Sequence, residues 1–385
     1  MKEDWAYIPF AEVCESMTKG PFGSDIKKSL YVPKSVDTYK VYIQANAIEK
    51  DASIGEYYIS KEYFDTKMFR FEVKPNDYII TCDGTLGKYL RLPLTIERGI
   101  ISASLLRITL NQRIVPKYFE YLWDGFIMGR LTSDIRNSAL VHLPSADKIG
   151  KVKIPLPSLS EQERIVAELD LLSGIIDKQN AQLKELDTLA QSIFYDMFGD
   201  PVENDKDWEV KKLLSVSTLL NGRAYQQNEL LPQGKYKVLR VGNFFTNGNY
   251  YYSDLELDDD KYCYRGDLLF AWSASFGAFI WDEGKTIYHY HIWRVLFDKA
   301  VLDIQYYRFL LNTMTSYFMK DVHGIGMVHL TKAGMEQYDL PIPPLYLQKS
   351  FAEKIQAIDN QKEAINKAIK ETQTLFDYTM DKYFG

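Results

Sequence analysis

The side chains in this chain that could do chemistry are few, and they suit reading a surface better than reacting with it. His289-x-His291 would present two imidazoles on one strand face, where they could hold a metal ion with His323 or His329. The matching positions in an earlier part of the chain are Ser102 and Ser104, which cannot ligate zinc comparably. A pair of ordinary or DNA-facing polar side chains is therefore the favoured reading, and no metal is expected. Glu283-Gly284-Lys285, downstream of Asp267, imitates the acid-x-Lys pair of a metal-dependent nuclease. Its setting, from Trp281 to Lys285, reads better as a hairpin turn. No G-x-x-x-x-G-K-[ST] phosphate loop, H-E-x-x-H or G-x-S-x-G occurs. Catalysis is not expected of this chain.

Other positions fit the reading of base edges. The loop Lys19-Gly20-Pro21-Phe22-Gly23-Ser24 has a counterpart in Asn221-Gly222-Arg223-Ala224-Tyr225. Gln44 and Asn46 in one half face Arg240 and Asn243 in the other, and Asn or Gln suits adenine as Arg suits guanine. Arg136-Asn137 and His323 precede two Val-His-Leu elements that carry His142 and His329. Lys88, Arg107, Ser275 and Arg294 complete the candidate DNA-contacting set, with Lys19, Ser24, Gln44, Asn46, Arg136, Asn137, His142, Arg223, Tyr225, Arg240, Asn243, His289, His291, His323 and His329. For any single residue, a turn or surface polar role is the simpler explanation. The group weighs more than its members, because differing residues at matching places imply two different half-sites.

That matching comes from an internal repeat. Pro155 to Gly199 aligns without a gap on Pro341 to Gly385, with 11 identities in 45 positions. Average amino-acid usage would give roughly three. Both copies are helical by periodicity. Ile165, Leu169, Leu172, Ile176, Leu183, Leu186 and Ile193 form one seam, and Phe351, Ile355, Ile358, Ile365, Ile369 and Phe376 the other. Apolar residues spaced 4-3-4-3 over five heptads indicate a coiled coil, each helix roughly 55 Å long at 1.5 Å per residue. Polar interruptions at Gln179 and Lys362 fall opposite in the two copies, which suits the helices packing on each other. Ser160-Glu161-Gln162-Glu163 reads as a capping box with Ser160 as the N-cap, while Tyr346-Leu347-Gln348 lacks one. Gly199 followed by Pro201 stops the first helix.

The stretches 1–154 and 201–340 show short β-runs, such as Lys40 to Ile43, Tyr78 to Thr81 and Asp267 to Ala271. They are related with gaps. Tyr39-Lys40-Val41 pairs with Tyr236-Lys237-Val238, Asp77 with Asp267, Gly87 with Gly277, and Arg107 with Arg294. The expected order is domain (1–154), helix (155–200), domain (201–340), helix (341–385). The fold class is α+β: two β-rich domains separated by two long helices that form an antiparallel coiled coil with pseudo-two-fold symmetry.

Composition bounds the rest. The net charge is −6 over 385 residues, and residues 158–200 alone carry −6. Nothing resembles a polybasic DNA-binding surface, so a partner must supply positive charge. Cys14, Cys82 and Cys263 are odd in number and widely spaced, which argues for a reducing compartment. With no signal core and no long apolar run, a soluble cytoplasmic protein is expected, without a membrane partner.

The arrangement resembles the specificity subunit of type I restriction-modification systems. Pro155, Pro157, Leu159, Gln162 and Pro341, Pro343, Leu345, Gln348 introduce the helices as Pro-x-Pro-x-Leu-x-x-Gln. Lys19 to Ser24 and Met197 to Pro201 are also typical of that family, and Leu347 departs from its usual Glu. The resemblance implies that each domain recognises one half of a bipartite, asymmetric site on double-stranded DNA. It implies that the helices set the unread spacer and dock two methyltransferase subunits and, through them, restriction subunits. S-adenosylmethionine, ATP and Mg would then sit on those partners, with no cofactor in this chain. A coiled-coil scaffold whose β-domains bind proteins or peptides is the alternative.

Overall fold

The computed structural model describes residues 5–135, 142–246, 248–273, 275–321 and 330–385. The chain forms two compact units, one of residues 1–178 with 369–385 and one of residues 179–368.

In the first unit the strands are β1 (Ala6–Pro9), β2 (Cys14–Lys19), β3 (Thr38–Tyr42), β4 (Tyr58–Ser60), β5 (Tyr78–Thr81), β6 (Tyr89–Arg91), β7 (Gly99–Ile101), β8 (Leu105–Leu110) and β9 (Lys153–Leu156). They make a four-stranded antiparallel sheet β2-β8-β5-β6, a three-stranded sheet β4-β3-β7 and the pair β1-β9. In the second unit the strands are β10 (Glu209–Lys212), β11 (Ser217–Asn221), β12 (Tyr236–Leu239), β13 (Tyr251–Ser253), β14 (Tyr262–Cys263), β15 (Leu268–Ser273), β16 (Ser275–Ile280), β17 (Thr286–Tyr288), β18 (Ile292–Phe297) and β19 (Asp339–Ile342). Their sheets are β11-β18-β15-β16, β13-β12-β17-β14 and β10-β19. The topology repeats strand for strand. The added strand β14 answers to a single bridge in the first unit: Tyr262 pairs with Ile287 where Glu72 bridges Ile100.

Register aligns the two units residue by residue. On the parallel rungs Val41 faces Ile100 and Val238 faces Ile287. On the antiparallel rungs Ile79 faces Arg107 and Leu269 faces Arg294. His289 and His291 are thus the counterparts of Ser102 and Ser104, as the repeat implied. The same register makes Ile43, not Gln44, the counterpart of Arg240. It also puts Gly277 opposite Ala271, on the rung where Lys88 bonds Thr81, so the Gly87–Gly277 match is one residue out.

The helices needed below are α1 (Gln44–Ile48), α2 (Pro116–Leu122), α3 (Leu159–Phe198), α4 (Val241–Thr246), α5 (Ile304–Thr313) and α6 (Leu345–Phe384). Both long helices have 40 residues and start at equivalent leucines. The capping expectation needs correcting. Ser158 rather than Ser160 caps α3, its hydroxyl accepting the Glu161 N–H at 3.3 Å, and α6 needs no Ser to begin at Leu345.

The motif glutamines explain why these helices start where they do. Gln162 is fully buried; its Oε1 accepts the Val115 N–H (2.8 Å), and its Nε2 donates to the carbonyls of Arg113 (3.1 Å) and Pro157 (3.0 Å). Gln348 repeats the clip on Asp303 N–H (2.8 Å) and the carbonyls of Val301 (2.9 Å) and Pro343 (2.8 Å). Each glutamine thereby ties a long helix to the chain just before α2 or α5. A second repeated bond runs from the buried Tyr118 hydroxyl to the Pro155 carbonyl and from Tyr306 to Pro341.

Within each unit one long helix begins where the other ends. In the first unit the Tyr383 hydroxyl bonds Arg164 (3.0 Å) and Glu168 (2.7 Å), and Phe384 packs on Tyr118. In the second, Phe194 and Phe198 pack on Phe351, Phe198 packs on Tyr306, and Lys362 pairs with Asp187. Rising numbers on α3 meet falling numbers on α6, so the pairing is antiparallel. Ile165, Leu169, Leu172, Phe351, Ile355 and Ile358 are buried; Ile176, Leu183, Leu186, Ile193, Ile365, Ile369 and Phe376 are half-buried. Toward the end of α3 the buried positions become Phe194 and Phe198 rather than Ile193 and Met197. There the helix turns its face from the seam to the core under the sheet.

Candidate nucleic-acid interface

The strand ends gather the candidate residues into one loop cluster per unit. Each cluster begins at a glycine that lets two chain segments touch. A Cβ on Gly20 would lie 1.9 Å from the Ser102 carbonyl oxygen, and one on Gly222 2.3 Å from that of Tyr288. Cys82 N–H then bonds the Ser104 carbonyl at 2.8 Å, as Trp272 N–H bonds that of His291 at 3.1 Å. The first cluster therefore holds the loop after β2, the start of α1, Ser102 to Ser104, and Asp83 with His142. The second holds Arg223, Arg240, Trp272 and His289 to His291. Ser24, Lys88 and His142 are exposed, Lys19, Gln44 and Ser275 half-buried. Arg136, Asn137, His323 and His329 lie outside the described residues.

Several candidates are occupied inside the protein and are corrected here. Asn46 is fully buried: its Oδ1 accepts the Ile43 N–H (2.7 Å), and its Nδ2 donates to Asp51 (2.9 Å) and Ile54 (2.8 Å) carbonyls. Asn243 does the same with Arg240 N–H (2.9 Å) and the Gly248 carbonyl (3.3 Å). These amides brace the loops after β3 and β12, with Oδ1 and Nδ2 both bonded to backbone groups of the protein. Arg107 is 11% exposed and lies 4.0 Å from the carboxylate of Asp77, with further bonds to Glu72, Ser16 and Thr18. Arg294, 14% exposed, lies 2.9 Å from Asp267 and donates to the Tyr262 carbonyl at 2.8 Å. Burial raises the Asp77 carboxyl despite the hydrogen bonds from Thr109 and the Lys74 N–H that pull it down. This ion pair under the central strands recurs in both units and is structural.

Arg223 spends both arms of its fork on Glu229, at 2.9 and 2.7 Å. Burial pushes the Tyr225 hydroxyl up, keeping it a donor to the Tyr288 carbonyl at 3.4 Å. His142 sits 2.6 Å from Asp83. The acid-x-Lys segment is a bend between two sheets rather than a hairpin, and Glu283 is held 2.5 Å from Lys237.

Arg240 differs from these three arginines. Its guanidinium lies over the Tyr251 ring at 4.4 Å, and no carboxylate among the described residues pairs with it; its buried Nε lacks a hydrogen-bond partner, as do those of Arg107 and Arg294, which have carboxylates alongside. It borders a cleft of about 460 Å³ with Gly242, Asn249, His289 and His291. Burial first, then the neighbouring His291 and Arg240, hold the His289 imidazole down to about 4, so it is neutral at pH 7. His291 packs between Tyr290 (3.9 Å) and Trp272 (5.2 Å). Sequence reasoning missed Trp272 and Tyr290. Their counterparts, Cys82 and Ala103, could have flagged them, because large aromatic rings stand on rungs where the first unit has small side chains.

Two copies of one fold with unlike residues at the same loop cluster agree with what this chain is similar to. The type I restriction modification DNA specificity domain matches residues 2–187 and again residues 205–373. The chain belongs to this family. Among curated relatives, the type I restriction enzyme MjaVIII specificity subunit of Methanocaldococcus jannaschii is 22% identical, over 97% of this chain and 92% of that protein. The EcoBI specificity subunit of Escherichia coli is 27% identical over 46% of this chain and 36% of its own. A chain from a structure of type I R-M system assembly and conformational transition superposes with a TM-score of 0.61 at 18% identity, over 99% of this chain and 97% of its own. The type I S subunit from M. genitalium gives 0.52 at 12%, over 99% and 96%. At such identities these structures speak for the fold, including the paired long helices.

Proposed function

We propose that this chain is the DNA-recognition subunit of a type I restriction-modification complex, with residues 1–154 reading one half of a bipartite site and residues 201–340 the other. The observation that carries this reading is duplication with divergence. The same strands, glycine, asparagine brace and Asp–Arg pair recur, while the cluster they support changes from Ile43, Ser102 and Ser104 to Arg240, His289 and His291. A shared scaffold with unlike readers suits an asymmetric site, because base edges specify while phosphate contacts only position.

The two long helices would set the unread spacer and dock two methyltransferase subunits, which bring restriction subunits. S-adenosylmethionine, ATP and Mg would be bound by those partners. Their own basic surfaces would supply the charge that this acidic chain lacks. No helix among the described residues is long and apolar enough to cross a membrane, and the site of action would be the cytoplasm.

A methylation map of host DNA, made with and without this chain, tests the reading. One gapped adenine motif should disappear when the chain is removed. If every methylated motif persists, or the assembled complex binds DNA without sequence preference, the reading fails, and a scaffold that binds proteins through its β-domains takes its place.

A further inference from the structure

Arg240 is the one site arginine among the described residues whose guanidinium is neither hydrogen-bonded nor ion-paired. Arg107, Arg223 and Arg294 have Asp77, Glu229 and Asp267. No described residue accepts a hydrogen bond from the Arg240 guanidinium; the Nε of Arg107 and Arg294 is also buried without a hydrogen bond, but each of those has a carboxylate beside it and Arg240 has none. A buried donor without an acceptor costs stability, and a bound partner that supplies the acceptor recovers that cost. The side chain is also held in place. Its ring partner Tyr251 lies at 4.4 Å, and its backbone N–H is fixed by Asn243 at 2.9 Å.

The cleft beside it contributes no carboxylate. Gly242 and Gly248 keep its wall low, and the half-buried His289 and His291 stand opposite. Neutral His289 adds no second positive charge to compete for one acceptor edge. On the same rung of the first unit stands Ile43, which has no side-chain donor.

We propose that Arg240 is the specificity-determining residue of the second domain and binds the edge of guanine in one G·C pair, its fork meeting the two acceptors that guanine presents in the major groove. This rests on the DNA-recognition reading above and deepens it. A bidentate Arg–guanine contact discriminates against the wrong pair by roughly 10- to 100-fold. Arg223 stays engaged with Glu229 and shapes the neighbouring loop.

The test uses the full chain assembled with its methyltransferase subunits, with methylated adenines mapped for wild type, Arg240→Ile and Arg240→Lys. The half-site belonging to residues 201–340, assigned by domain exchange, should contain a G·C pair. Preference at that pair should fall roughly 10- to 100-fold in Arg240→Ile. Arg240→Lys keeps the charge without the planar fork, and it should relax the same position while retaining affinity. The other half-site should be unchanged in both variants, which also reports that they have folded. An unaltered motif in both variants would overturn the proposal, and so would a uniform loss of affinity at every sequence, the mark of a phosphate contact. Either result leaves DNA recognition standing, whereas a wild-type complex that methylates no motif sinks the recognition reading itself.

Discussion

The first and second domains share their strand order, their register and their buried polar bonds, and differ where their loops gather. In the first, the rungs at the cluster hold Ile43, Cys82, Ala103 and Ser104; in the second, Arg240, Trp272, Tyr290 and His291 hold the same rungs. Set side by side, the two copies show which polar residues are scaffold. A side chain that repeats and is buried, such as Asn46 with Asn243, holds the loop. A side chain that changes between copies marks where the two surfaces differ, and some of these are held as well: Arg223, where the first copy has Pro21, is engaged by Glu229. Chemical type alone does not separate the two classes, since both contain arginine and amides.

Breaking the shared parts should weaken both halves in the same sense. The largest effect is expected at the Asp–Arg pairs: Arg107→Leu leaves Asp77 buried without its cation, at about 3 kcal/mol of unfolding free energy. Arg294→Leu should weaken the second domain in the same sense, and less, because Asp267 is 22% exposed against 1% for Asp77. Urea unfolding of the two variants checks the order.

Next come the helix clips. Gln162→Ala strands the Val115 N–H and two carbonyls, and Gln348→Ala their counterparts, each at about 1–3 kcal/mol. Similar losses in the two variants would show that the glutamines are equivalent, and a loss confined to one would break the symmetry.

A smaller effect distinguishes the halves. Folded His289 titrates near 4 against an ordinary 6.5, so on acidification the unfolded chain takes up the proton first. Its contribution to stability is present above pH 6.5 and is lost as the pH falls toward 4. His289→Ser, which copies Ser102, should remove that part of the pH dependence in denaturation between pH 7 and 4. Smallest of all, Lys362→Ala should cost under about 1 kcal/mol, since its partner Asp187 is 69% exposed.

The helices were legible in the sequence because their repeat has no gap and apolar spacing reports a packed face directly. The equivalence of His289 with Ser102 was legible too, from matched strands on either side. What stayed hidden was burial of polar groups. Arg107, Arg294, Asn46 and Asn243 carry the letters of base readers, and only the fold reveals that Asp77, Asp267 and two loop backbones already occupy them. The cap at Ser158 was missed because Ser160 three residues before Glu163 fits the capping pattern equally well. Phe194 and Phe198 were missed because a heptad describes a helix against a helix, and the end of α3 packs on a domain.

The proposed division of labour gives each domain its own half of the DNA site. It is tested most directly by replacing residues 1–154 with the corresponding domain of another family member and mapping methylated adenines in a host that supplies the partner subunits. The expected map shows a new half-motif joined to the old one, with the spacer length unchanged. A map in which both halves change together, or neither does, would contradict it.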